Sequence, residues 1–411
     1  MMMKTTLQDK IVIGHIHLVK GFKVAGVHAG LRRSERPDFS MIYSEYPCTA
    51  AGVFTTNQVK AAPVLLNMRH LASNSTDMRV IVTNAANANA CTGQLGMHNA
   101  ELTAQWVAEK LNLKPEQVFV QSTGVIGVQL PMDRIAEGIR QAIQQLDEDN
   151  WDTAMRGIMT TDTRPKAYSI KSSHGYTITG IAKGSGMIAP NMATMLAMIV
   201  TDAKVPQPML QSALTAANQS TFNRISVDGD TSTNDTVLLL ANGASGIAVD
   251  EQNYADFVAE LTEVCTRLAH MIVLDGEGAT KFITIHVQGT ADEASAHRIA
   301  NTIATSPLVK TAFYGQDANW GRILAAAGRA GVEFNQDEAA LWFASEAAIP
   351  SVLQVVENGT PTNYEEDDAA RIFQQDEIVV TLKVGEGSSK ATVWTCDFSH
   401  EYVSINADYR T

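Results

Sequence analysis

The sequence predicts a layered α/β fold, and three observations carry that expectation. A length of 411 residues suggests two or three domains. Hydrophobic residues make up 45% and charged residues 18%, ordinary values for a globular chain with a sizeable core. Segments of helical period alternate with segments of strand alternation, without an internal repeat or low-complexity tract.

The elements follow in order. Ala104, Val107, Ala108 and Leu111 share one helical face between His98 and Leu113. "VFVQSTGVIG" reads as a strand running into a Gly-rich turn. Ile135, Ile139, Ile143 and Leu146 mark a second amphipathic helix. "YTITGIA" (176–182) alternates as a strand does, and "AMIV" (197–200) predicts another. Leu210, Ala213, Leu214 and Ala217 mark a third helix; Phe257, Leu261, Cys265 and Leu268 mark a fourth. "EIVVTLKV", "GEGSSK" and "ATVWTCDF" predict a β-hairpin near the C-terminus. Acidic and polar residues collect at 148–150 and 357–368, which are expected to be soft connections.

Composition excludes several function classes. A net charge of −13 without a basic stripe argues against nucleic-acid binding. The opening "MMMKTTLQDK" has no apolar stretch of signal-peptide length. Met195 to Val200, the strongest apolar run, is far too short to span a bilayer. Cys48, Cys91, Cys265 and Cys396 are scattered, with no CxxC pair and no Cys/His cluster, so no metal site is expected. Free thiols fit a reducing compartment, and a cytoplasmic protein is expected.

The chemistry centres on "KGSGMIAPNMATML" (183–196). Gly184-Ser-Gly186-Met-Ile-Ala189 matches a relaxed dinucleotide fingerprint. A parallel crossover needs a dozen residues or more, whereas Pro190 and Asn191 follow at once and a strand restarts near Ala197. The spacing predicts strand, exposed loop, strand. Three readings of Thr194 remain on local sequence. It is a capping hydroxyl; or it ends an anion-cradling loop with Lys183 as cation; or it is a self-cleavage junction. The last demands a hydroxyl after the scissile bond and a small residue before it, which Thr194 and Ala193 supply.

A wider set of motifs decides between them. "GFKVAGVHAGLR", "TAAGVFTTNQVKAAPV", "NAANANACTG", "QSTGVIG", "MTTDT", "AKGSGMIAPNMATML", "SVDGDTSTNDTV", "DGEGATK", "GQDANWGRI" and "VSINADYRT" run in one order over nearly the whole chain. Together they resemble the ornithine acetyltransferase family, the bifunctional glutamate N-acetyltransferases of arginine biosynthesis. The regions around 145–175 and 357–376 resemble it least.

The resemblance implies a precursor that cuts itself between Ala193 and Thr194. It yields an α chain (1–193) and a β chain, the latter divided into 194–286, completing the catalytic domain, and a smaller α/β part, 287–411. The expected fold class is thus the layered helix/sheet architecture of the self-processing ornithine acetyltransferase type. The implied reaction moves acetyl from N-alpha-acetylornithine to glutamate through acetyl-Thr194. There is no cofactor, although some family members accept acetyl-CoA as donor. The same resemblance gives Thr123 and Gly124 the oxyanion, and gives Thr160, Lys183, Thr194, Glu277, Asn406 and Thr411 substrate contacts. Within "MTTDT", Thr161 and Thr163 compete with Thr160 for that role. The expected assembly is an α2β2 heterotetramer, with small molecules and no nucleic acid or membrane as partners. Two alternatives stay open: a self-cleaving aminopeptidase that hydrolyses its acyl-enzyme, and a non-enzymatic anion-binding protein.

Overall fold

A computed structural model of the chain describes residues 6–189 and 195–407. The expected junction residues Ala193 and Thr194, and the tail residue Thr411, lie outside them. In chain order the strands are β1 (Phe22–Val27), β2 (Phe39–Phe54), β3 (Met78–Asn84), β4 (Val118–Ser122), β5 (Lys166–Lys171), β6 (Thr177–Lys183), β7 (Leu196–Thr201), β8 (Ile225–Ser226) and β9 (Thr236–Ala241). They continue with β10 (Phe282–Thr290), β11 (Ala340–Ala344), β12 (Val352–Glu357), β13 (Thr360–Pro361), β14 (Glu377–Lys383) and β15 (Ser389–Cys396). The described residues fall into two compact units. One comprises Val12–Asn223 and Asp230–Ile272; the other takes in the residues up to Ile11, Arg224–Gly229 and Val273 onward.

The first unit holds a sheet in the order β4-β3-β2-β9-β7-β6-β5, with β1 paired to β2. Strand β2 serves two partners in turn. Its first part pairs with β1 and β3, its second with β9, and the register breaks between Tyr43 and Cys48. Glu45, Tyr46 and Pro47 are exposed at that break, where a proline without an N–H does least harm to the ladder. Strands β7 and β9 pair in parallel, and every residue of both is buried, as expected of central strands covered on both faces. The helices Gly93–Leu111 and Met132–Gln144 bury the expected Ala104, Val107, Ala108, Ile135 and Ile139 in one core with Val80, Val82, Val118 and Val120. The first helix starts earlier than its apolar period suggests and stops at Asn112, which takes a left-handed conformation at the C-cap.

β4 is an edge strand, and a helix side chain covers its edge. Asn67, on the helix Ala62–Ser73, donates to the Val120 carbonyl (2.7 Å) and accepts from the Val120 N–H (2.8 Å). The buried amide thus imitates a neighbouring strand and closes off a site for foreign pairing.

The second unit holds a sheet in the order β13-β12-β11-β14-β10-β15-β8. Ile283, Ile285 and Val287 of β10 face a core shared with the helices Glu293–Ala304, Pro307–Tyr314, Trp320–Gly328 and Glu366–Phe373. Alternate residues Thr284, His286 and Gln288 are less buried or exposed, the period of two expected of a strand. The expected hairpin is corrected here. β14 and β15 do not pair, because β10 lies between them, parallel to β14 and antiparallel to β15. The "GEGSSK" segment passes around the end of β10, with Val384 N–H donating to the Gln288 carbonyl and Gly387 N–H to the Gly289 carbonyl. Glycine permits the crossing: a Cβ on Gly289, at φ +90°, would meet the Gly385 oxygen at 2.2 Å. The expected soft stretch 357–368 contains β13 and the start of the helix Glu366–Phe373.

No helix among the described residues is long and apolar enough to cross a membrane. No cluster of His, Cys, Asp or Glu among them could hold a metal ion.

Candidate active site

The site in the first unit is built where β4, β6, β7 and the start of β9 end or begin. β6 and β7 pair antiparallel, with Lys183 opposite Leu196. The two strands flanking the junction are therefore direct neighbours, and a dinucleotide crossover is excluded. The loop that leaves β6 is not exposed as expected. Gly184, Ser185, Ile188 and Ala189 are buried, and Met187 is the exposed residue among those described.

Lys183 is 3% exposed, and its ammonium donates to the Thr123 hydroxyl at 3.4 Å. Thr123 follows β4 directly, and its N–H donates to the Asn84 carbonyl. Gly124 has φ +134°, and a Cβ there would lie 2.2 Å from the Ala86 carbonyl carbon. Only glycine allows this close approach. Among the described residues nothing accepts the Gly124 N–H. A hydroxyl and an unengaged backbone donor thus stand side by side at the end of β4, the equipment an oxyanion requires.

"MTTDT" meets the same loop. Asp162 is fully buried and accepts from Lys166 Nζ and Gly184 N–H, both at 2.7 Å, and from Thr160 N–H at 2.9 Å. Burial alone would raise its pKa. The charges of Lys166 and Lys183 and the bonds from Lys166 and Gly184 outweigh it, holding the carboxyl well below the usual carboxylate range. The Thr161 hydroxyl bonds Ser185 Oγ at 2.7 Å. Thr160 is thus brought near Lys183 through Asp162, while Thr161 makes the direct side-chain contact with the loop.

"STND" supplies the remaining wall. Asn234 donates to the carbonyls of Ala88 (2.7 Å) and Ser122 (2.8 Å), tying the start of β9 to the end of β4. Asp235 Oδ1 accepts from the Met195 N–H at 3.0 Å. Thr123, Lys183, Met195, Leu196, Asn234 and Asp235 enclose a crevice with no room for a water molecule. Sequence reasoning missed Asp162 and Asp235. The available signal was an acid set among small hydroxyl residues, in "TTDT" and "STND".

In the second unit, Glu277 is 6% exposed and its Oε2 accepts from Asn406 Nδ2 at 2.8 Å. These two expected substrate contacts are brought together. Ser399 Oγ donates to the Gly278 carbonyl (2.6 Å), fixing the turn that carries Glu277.

Comparison with known proteins identifies the kin. A model of the ArgJ family matches residues 23–411. The chain is 47% identical over 398 residues to the arginine biosynthesis bifunctional protein ArgJ of Thermotoga neapolitana, covering 95% of this chain and 99% of that one. It is 44% identical over 411 residues to the protein of the same name from Synechocystis, covering 98% and 99%. Among solved structures it is similar to ornithine acetyltransferase complexed with ornithine from Mycobacterium tuberculosis. That chain is 38% identical, with a TM-score of 0.40 over 42% of this chain and 92% of its own. With residues 23–411 matched by the family model and these relatives covered almost end to end, the chain belongs to the ArgJ family.

Proposed function

We infer that the chain is an acetyltransferase of arginine biosynthesis, moving the acetyl group of N-alpha-acetylornithine to glutamate. The observation that carries this reading is the near full-length match to arginine biosynthesis bifunctional proteins. The convergence of Thr123, Lys183 and the start of β7 around one small crevice supports it locally.

Thr194 is the nucleophile in this reading, freed by self-cleavage after Ala193. An unaided hydroxyl is a poor nucleophile and needs an adjacent base. The new α-amine has a reference pKa of about 7.7–8.0, so a fair fraction is neutral near neutral pH and can take the Oγ proton. Before cleavage that nitrogen is an amide and cannot act as a base, so the uncut precursor is inactive in transfer. Attack on the acetyl carbonyl makes an oxyanion that the Thr123 hydroxyl and the Gly124 N–H receive. Collapse releases ornithine and leaves acetyl-Thr194; glutamate then reverses the steps in a ping-pong cycle.

Lys183 and Thr160 hold the substrate carboxylate. Glu277, Asn406 and Thr411 are the further substrate contacts of this reading. The cleaved chains stay together as a cytoplasmic α2β2 assembly. A denaturing gel and an acetylornithine assay with and without glutamate test the whole reading. Two fragments of similar size and glutamate-dependent release of ornithine are expected. A single band with full transfer would overturn it, and glutamate-independent release would favour the aminopeptidase alternative.

A further inference from the structure

In the second unit a fully buried ammonium stands against the segment that grips Glu277, and the transfer cycle makes no use of it. We propose that Lys310 is a positioning residue for Glu277: its charge fixes the chain leaving β15, and that chain holds the Glu277 carboxylate in place for substrate. The inference rests on the reading of Glu277 as a substrate contact.

The grip on the Glu277 turn is direct. Asp397 is buried and accepts from the Thr280 N–H (2.8 Å), the Thr280 hydroxyl (2.5 Å) and the Lys281 N–H (2.9 Å). Ser399 holds the Gly278 carbonyl, and Asn406 holds Glu277 itself. Gly278 has φ +69°, and a Cβ there would stand 2.5 Å from the Tyr402 nitrogen. The helix His400–Ala407 thus meets the turn at backbone distance, which only glycine allows. A shift of 397–406 would carry the Glu277 carboxylate with it.

Lys310 fixes that segment. It lies on the helix Pro307–Tyr314 and is fully buried. Its ammonium donates to the Cys396 carbonyl and to the Thr395 hydroxyl (2.9 Å), and stands 4.6 Å from the centre of the Phe398 ring. Its own carbonyl accepts from the Phe398 N–H at 3.2 Å. Phe398 stacks on Tyr402, with centroids 4.7 Å apart and planes at 21°. The Tyr402 carbonyl accepts from Asn406 Nδ2 at 3.0 Å, and the same nitrogen serves Glu277. Lys310, Phe398, Tyr402, Asn406 and Glu277 therefore form one unbroken run of contacts.

The charge decides the assignment. Among the described residues, the acceptors of the Lys310 ammonium include no carboxylate. Asp397, next along the chain, spends its oxygens on the turn. The Cys396 thiol lies 3.8 Å away, but burial pushes it up to about 11 against the Lys310 charge, so it offers no thiolate near neutral pH. A buried ammonium without a counter-ion is costly, and an apolar side chain of the same length would fill the volume more cheaply. What the apolar chain lacks is attraction for a carbonyl oxygen and an aromatic face at once. The ammonium pins the end of β15 and the Phe398 ring to one point, and so sets the direction in which the chain runs on to Asn406.

The test uses the whole protein as purified. Lys310→Met keeps the length and the apolar bulk and removes the charge. KM for acetylornithine should rise about tenfold while kcat stays within about threefold of wild type. Self-cleavage, followed on denaturing gels, should proceed as in wild type. Glu277→Gln should raise KM as well, and the double variant should be no worse than the poorer single one, because Lys310 acts through Glu277. A KM for Lys310→Met within about twofold of wild type would overturn the proposal, and so would effects that multiply in the double variant. A merely structural lysine would lower the melting point and leave KM of the folded protein where it was. Should Lys310→Met fail to melt cooperatively, Phe398→Leu decides, since it keeps the ammonium and its hydrogen bonds but removes the ring face. A KM raised about threefold or more then supports the role, and an unchanged KM refutes it. Glu277→Gln with a wild-type KM would remove the reading of Glu277 together with this one. A raised KM in Glu277→Gln beside an unchanged KM in Lys310→Met would remove only the role of Lys310.

Discussion

A carboxylate with no exposure needs its oxygens answered, and Asp162 is answered by an ammonium and two backbone N–H groups. Asp162→Asn removes the carboxylate that answers the buried Lys166 ammonium, and should cost about 3–5 kcal/mol, read by urea unfolding in the uncut Thr194→Ala background. The pH dependence has a definite sign. Because the folded carboxyl titrates below its unfolded value, its contribution is complete above about pH 4 and is lost as the pH falls further. The stability curves of the two proteins should therefore converge in acid. At the end of β4, Thr123→Ala removes one of the two donors proposed for the oxyanion, and kcat for transfer should fall by about 10²–10³. Thr123, Gly124 and Lys183 were named through the family resemblance, since local sequence alone offers an ordinary turn in "STG" and a loop cation at Lys183. Asp162 and Asp235 were not, since an acid in a polar run is ordinarily solvated and local sequence carries no record of burial.

Elements were legible where their signal is local. The amphipathic helices announced themselves by period, and β6 and β7 by alternation and by a run of apolar residues. The C-terminal hairpin failed because the strand that separates β14 from β15 comes from 282–290, far upstream. Nothing in "GEGSSK" reports that another strand end lies inside its curve. The glycines do, once the contact is seen. Gly289→Ala should destabilise the protein by roughly 2–4 kcal/mol, since a left-handed backbone and a carbonyl at 2.2 Å both oppose the new methyl group. Gly14→Ala, with nothing within 4 Å of the new Cβ, should stay within about 0.5 kcal/mol of wild type. Thermal unfolding of both variants checks the contrast. Asn67 belongs at this scale as well: a helix residue completing a sheet edge is invisible to any reading that treats helices and strands apart.

For the whole molecule, sequence reading expected a smaller α/β part at 287–411, but nothing in it pointed to a unit that starts at Val273 and also takes in the first residues and Arg224–Gly229. Such a unit depends on contacts between distant segments, whereas periodicity reports only near neighbours. The C-terminal residues offer a test at this scale. Asn406 already bonds Glu277, so deleting 408–411 should raise KM for acetylornithine several-fold while self-cleavage proceeds normally; a frayed tail would change neither. The assembly should elute at twice the 44.3 kDa chain mass on a sizing column, with both fragments present. The antiparallel pairing of β6 with β7 has a thermodynamic consequence of its own. A cut in the loop joining them leaves both ends stitched into one ladder, so the nicked molecule holds together as long as it stays folded. Once melted, however, its halves diffuse apart, and renaturation changes from a first-order event into an encounter between two solutes. The proposed cut would thereby add to the concentration dependence of the melting point, which dilution should lower more steeply for the cleaved protein than for the Thr194→Ala chain.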